Sequence, residues 1–158
     1  MRAYQVFGSM TPERASEILR VLREKAPAMF HNAVAIAAAA LKTRPAYMKK
    51  LPLDKRADAV RRALSRVTTN AIAEELLAVY FLECRKELLT EWLDTLGIRH
   101  EDGTLAEDSP AQPDGASLRA AVEKYRAGGD DPDRALLLQA FAAQSAIDWP
   151  ELEALIAT

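Results

Sequence analysis

The sequence predicts an all-α fold: a single-domain bundle of about six to seven helices around a long central helix over residues 70–97. Three observations carry this. Ala and Leu number 30 and 20, against only 7 Val and 6 Ile, a composition that favours helix and disfavours sheet. Apolar residues recur at three- and four-residue steps through most of the chain. The six glycines sit where helices would stop. A chain of 158 residues is the size of one domain and can bury a core without disulfides or metals.

Residues 1–10, MRAYQVFGSM, show no helical period and are expected to form an extended arm. Residues 11–97 would form the main bundle. Thr11 and Pro12 make a cap and first-turn pair, and Ile18, Leu19, Leu22 and Ala26 lay down the first apolar stripe. Pro27 kinks this helix or starts the next. The run AMFHNAVAIAAAALK follows. A membrane-spanning helix needs about 20 apolar residues; only thirteen lie between Met29 and Leu41, and His31 and Asn32 interrupt them. The run also lacks the short basic lead of an export signal, since Glu13, Glu17 and Glu24 precede it. It is expected to be core helix, apolar almost all round.

PAYMKK is a short helical turn. LDKRADAVRRALSRV places Ala57, Val60, Leu64 and Val67 on one face and basic residues on the others. The central helix would run from the TTN cap to Gly97, about 40 Å long, with Leu77, Phe81, Cys84, Leu88 and Trp92 on one face. Residues 98–115, acidic and rich in Pro, Gly, Asp and Ser, are expected to be a disordered loop. Residues 116–158 form a helical extension that packs on the bundle or exchanges with a neighbouring chain. Within it Leu118, Ala121, Val122 and Tyr125 face inward, Asp131 with Pro132 starts a second core helix, and Asp148 starts a short last one.

Charge is unevenly spread. Residues 42–66 hold nine Lys or Arg against Asp54 and Asp58, whereas residues 87–158 hold fifteen acids against five bases, within a net charge of −2. The single cysteine, Cys84, excludes an internal disulfide and a cysteine-built zinc site, which fits a reducing, cytoplasmic setting. Neither a phosphate-binding loop, a dinucleotide glycine pattern, a nucleophile elbow nor a zinc-helix motif is present. No cofactor or metal is expected, and the reading leans away from an enzyme. The loop GGDDPDR at residues 128–134 lacks the spaced oxygen ligands of a calcium hand and reads as a helix start.

Three function classes remain open. The leading expectation is recognition of itself or another protein, with a homodimer as one form, through apolar anchors: Trp92 and Leu96 on an exposed side of 88–96, and Trp149, Leu152 and Ile156 on the last helix. The second is nucleic-acid binding by Arg44, Lys49, Lys50, Lys55, Arg56, Arg61, Arg62 and Arg66 together with Lys42, with Tyr47 available for stacking. The competing reading of these charges is a solvated face, or one paired with the acidic half. The third is a small-molecule binder or enzyme with an inter-helix pocket near His31 or His100, the latter beside Glu101 and Asp102. No membrane partner is expected.

Overall fold

Helix begins almost at the first residue. In a computed structural model that describes residues 1–157, Ala3–Ser9 is helix α1 and not an extended arm. The reason lies in a stripe too short to stand out: Ala3, Val6, Phe7 and Met10, at steps of three, one and three, are buried. Arg2 and Gln5 close its first turn, the Gln5 side chain accepting from the Arg2 N–H at 2.7 Å.

The all-α class holds throughout. Ten α-helices are joined by one 3₁₀ turn, one π turn and a single two-stranded ribbon among the described residues. The chain divides into two compact units, residues 2–84 and residues 85–157 with Met1.

The N-terminal unit contains α1, α2 (Pro12–Lys25), α3 (Pro27–Ala40), α4 (Pro45–Lys50), α5 (Leu53–Leu64) and α6 (Asn70–Val79), which runs into a π turn at Tyr80–Cys84. Thr11 caps α2 as its type demands, its side chain accepting from the Arg14 N–H at 3.1 Å. The alanine run becomes α3, and one face of it is core: Met29, Phe30, Ala33, Val34, Ala37 and Ala38 are buried, while His31, Asn32, Ala35 and Ala39 are exposed. The helix is therefore amphipathic by packing although its sequence is apolar nearly all round. Alanine is the strongest helix former and costs little on an exposed face. On the buried face, fully enclosed Ala33 and Ala37 let α3 lie against α5, whose Ala57, Val60, Ala63 and Leu64 are equally enclosed. Helix α5 also packs on α2, whose Ile18 and Leu22 are fully enclosed.

The central helix is interrupted. Helix α6 widens into the π turn, and the path breaks at Arg85, whose backbone lies at φ −133° and ψ 45°. A new helix, α7 (Lys86–Leu96), starts there and ends at Gly97, which takes the left-handed φ of 72°. The stripe Leu77, Phe81, Cys84, Leu88 and Trp92 is buried as expected, but its first three members belong to one unit and its last two to the other.

In the C-terminal unit α7 packs with α8 (Gly115–Ala127), α9 (Pro132–Ala142) and α10 (Pro150–Ala157). Its core is a relay of edge-to-face rings, Tyr125–Trp92–Phe141–Trp149, with centroids 5.3, 5.8 and 5.3 Å apart, the arrangement that ring quadrupoles favour. The Tyr125 hydroxyl donates to the Leu88 carbonyl and the Trp149 indole N–H to the Pro110 carbonyl, both at 3.0 Å. That second bond ties residues 98–115 to the core. The segment is ordered where disorder was expected, with a β-hairpin pairing β1 (His100–Glu101) to β2 (Thr104–Leu105) in antiparallel register. Asp102 and Gly103 form its two-residue turn with φ of 50° and 92°, the double left-handed geometry that suits Asp-Gly. Asp131 and Asp114 cap α9 and α8, each accepting a first-turn N–H at 2.9 Å.

Candidate functional site

The basic segment emerges from the way α3 stops. Leu41 ends the helix, and Lys42 follows in the left-handed region at φ 55°. The Lys42 N–H donates to the Ala39 carbonyl at 3.2 Å and the Thr43 N–H to the Ala38 carbonyl at 2.8 Å. This is a Schellman stop, in which glycine is the usual occupant. A lysine there carries a backbone cost of about 1 kcal/mol. Arg44 precedes Pro45, whose ring presets the first turn of α4. Met48 is buried to 2% exposure against α3 and anchors that short helix. Pro52 follows within two residues of its end and opens α5.

This frame leaves Tyr47 60% exposed, one of the two most exposed large apolar side chains of the described residues. Tyr47 and Lys50 lie one turn apart on α4, with Arg44 at the helix entry, Lys49 adjacent and Lys55 in the first turn of α5. Lys42, Arg44, Lys49, Lys50 and Lys55 are all exposed, and none makes an ion pair among the described residues.

The other basic residues of the segment are occupied locally. Arg61 grips Asp58 through Nε at 3.0 Å and Nη2 at 2.8 Å, and Arg62 reaches the same carboxylate at 3.4 Å. Arg66 donates to the Ala40 carbonyl at 2.6 Å and so caps the end of α3. Arg56 is half-buried with its guanidinium 5.6 Å from the Phe30 ring centre, a cation–π contact. Of the nine candidates the structure therefore leaves Lys42, Arg44, Lys49, Lys50 and Lys55 free of ion pairs, and assigns Arg56, Arg61 and Arg66 to holding the fold. Arg62 is exposed but shares Asp58.

The proposed apolar anchors are placed otherwise than expected. Trp92 and Leu152 are fully enclosed and Trp149 is 3% exposed, so these side chains are core of the C-terminal unit and present no surface. Leu96 and Ile156 are half-buried. Amphipathic spacing cannot tell a core anchor from an interface anchor, because both bury the same face of a helix.

Neither histidine stands in the wall of the cleft between the α2–α3 junction and the π turn. His31 is exposed on α3, its ring edge-to-face with Phe30 at 5.4 Å between centroids. His100 accepts the Gly103 N–H at Nδ1 at 3.1 Å, which makes Nε2 its donor to Asp94, 2.7 Å away. With both ring nitrogens used, it ties the hairpin to the end of α7. A cleft of about 490 Å³ opens in the N-terminal unit between the α2–α3 junction and the π turn, with Lys25, Met29, Asn32, Glu75 and Glu83 in its wall. Cys84 closes that turn; burial pushes its thiol above the ordinary range, Lys25 opposes this and Glu83 adds to it. A neutral, enclosed thiol is a poor nucleophile. Among the described residues no three His, Cys, Asp or Glu side chains gather as metal ligands would, and no helix is long and apolar enough to cross a membrane. No known protein family, curated protein or solved structure matches this chain.

Proposed function

We propose that this chain is a cytoplasmic nucleic-acid-binding protein that works by contact and not by catalysis, through the α4 face and the first turn of α5. One observation carries the reading: five exposed cations without ion-pair partners lie within residues 42–55, the same stretch of chain that carries an exposed tyrosine on a short, anchored helix. Phosphate neutralisation with counterion release is the main source of affinity for such a face. The net charge of −2 does not oppose it, because distant exposed charges are screened beyond about 8 Å at physiological salt. Burial of Trp92, Trp149 and Leu152 removes the main support for a dimer built on those anchors.

The test is fluorescence anisotropy with a labelled oligonucleotide across a salt series. Five phosphate contacts give a slope of log affinity against log salt of about −3.5 for a single strand, and each removed contact lowers it by about 0.7. Lys49→Gln with Lys50→Gln should therefore flatten the slope by about 1.4. Arg61→Gln, whose wild-type side chain is paired with Asp58, should leave it unchanged. Absence of any binding at low salt overturns the proposal.

A further inference from the structure

We infer that the nucleic acid recognised at the α4 face is single-stranded, and that Tyr47 is the platform on which one base stacks. The inference rests on the nucleic-acid reading above and adds to it the strandedness of the ligand and the role of an uncharged residue. A duplex offers an incoming side chain its phosphates and groove edges, while the faces of its bases are covered by one another. A single strand offers phosphates and free base faces together. Cationic tracks combined with aromatic side chains are the device by which proteins hold such strands.

Tyr47 meets that requirement on three counts. It is 60% exposed, so its ring is not part of a core. It is carried on a helix fixed by Pro45 at one end and buried Met48 beneath, so its position is set before a ligand arrives and little ordering is needed on binding. It lies between cations in the chain, Arg44 before it and Lys49 and Lys50 after it, so a stacked base would have its flanking phosphates within reach of positive charge on both sides. Neither helix of this segment offers a long basic face to a major groove: α4 has six residues, and the basic side chains of α5 are partly drawn off by Asp58 and Phe30.

The experiment compares a mixed-sequence single strand, the matching duplex and polyglutamate of equal charge, each against wild type, Tyr47→Ala and Tyr47→Phe. The single strand is expected to bind wild type about tenfold more tightly than the duplex, and Tyr47→Ala to weaken it about tenfold, within the range found for losing one stacked base. Tyr47→Phe should bind as wild type does, since a ring is kept. The salt slope should be the same in all three proteins, which separates stacking from charge. Duplex binding as tight as single-strand binding, with Tyr47→Ala unaffected, overturns the inference while the nucleic-acid reading stands. Polyglutamate competing as well as the single strand overturns both in favour of an acidic polypeptide. Lack of binding to every probe overturns the nucleic-acid reading itself. The Ala variant removes an exposed ring, so its circular dichroism and thermal midpoint should match wild type.

Discussion

In the C-terminal unit Tyr125 donates to Leu88, its ring meets Trp92 edge-on, and the Arg134 guanidinium lies 4.9 Å from its centre while holding Glu91 at 2.9 Å. On α4 of the N-terminal unit Tyr47 stands in solvent and the cations beside it have no ion-pair partner. The residue types are the same and the surroundings are opposite. Burial raises the Tyr125 hydroxyl well above the ordinary phenol range, against the pull of Arg134. The Asp131 carboxylate likewise raises Arg85, which also holds Asp133 and Glu87. The comparison teaches that a charge or a ring says little by its presence in a sequence. Its partners decide whether it builds the fold or is left for a ligand.

The largest expected effect breaks the ring relay. Trp92→Ala should destabilise the chain by about 4 kcal/mol, transfer and cavity terms together, read as a lowered urea midpoint. Tyr47→Ala in the same assay should leave the midpoint within about 0.5 kcal/mol of wild type. Equal losses for the two would erase the distinction between the regions.

Next comes the buried ion pair. Asp133 is 1% exposed and faces Arg85. Arg85→Met should cost about 3 kcal/mol, because it leaves a carboxylate enclosed without its cation. Adding Asp133→Leu should restore much of that loss by removing the enclosed charge that Arg85 had balanced. A full loss in the double variant would place the stabilisation in the pair itself.

A smaller effect carries the opposite sign. Lys42→Gly relieves the left-handed strain at φ 55° and should stabilise the chain by about 1 kcal/mol. In the same variant the salt slope of oligonucleotide binding should flatten by about 0.7. A residue that sits against its backbone preference and contributes to binding would show both changes together.

The smallest concerns Asp114. Hydrogen bonds from the Ser117 N–H, and then from the Ser117 hydroxyl, hold its carboxyl below the ordinary aspartate range. Its stabilisation is therefore present above the unfolded-state range and is lost as pH falls through the folded value. Asp114→Asn should sit slightly below wild type at neutral pH and converge with it in acid, seen as thermal midpoints across a pH series.

Much of this was legible beforehand. The shortage of Val and Ile announced an all-helical chain, and Thr11–Pro12, Gly97 and Asp131–Pro132 announced helix ends that the structure places there. The break at Arg85 was hidden because the apolar stripe runs through it at unbroken spacing, with no proline or glycine to mark it. Helix α1 was hidden by its seven residues, too few for a period to declare itself. The hairpin did leave a sign, the Asp102–Gly103 pair, but His100, Glu101, Thr104 and Leu105 lack the alternation that would have supported it. At the candidate site the basic cluster was legible as a whole. Asp58 lies three and four residues before Arg61 and Arg62, so those pairings were readable. The contacts of Arg66 with Ala40 and of Arg56 with Phe30 span 26 residues each and needed the fold.

The hairpin turn also bears on how the protein ages. An Asp–Gly bond deteriorates when the glycine nitrogen attacks the neighbouring carboxyl carbon and closes a succinimide, which then opens to isoaspartate. At residues 102–103 that nitrogen already has a task, donating to His100 Nδ1 at 3.1 Å, and Gly103 is buried. Ring closure must first detach it. The folded chain thus shields this Asp–Gly link, whereas its second, Asp114–Gly115, lies exposed, and spontaneous isomerisation at 102–103 reports how often the turn comes undone.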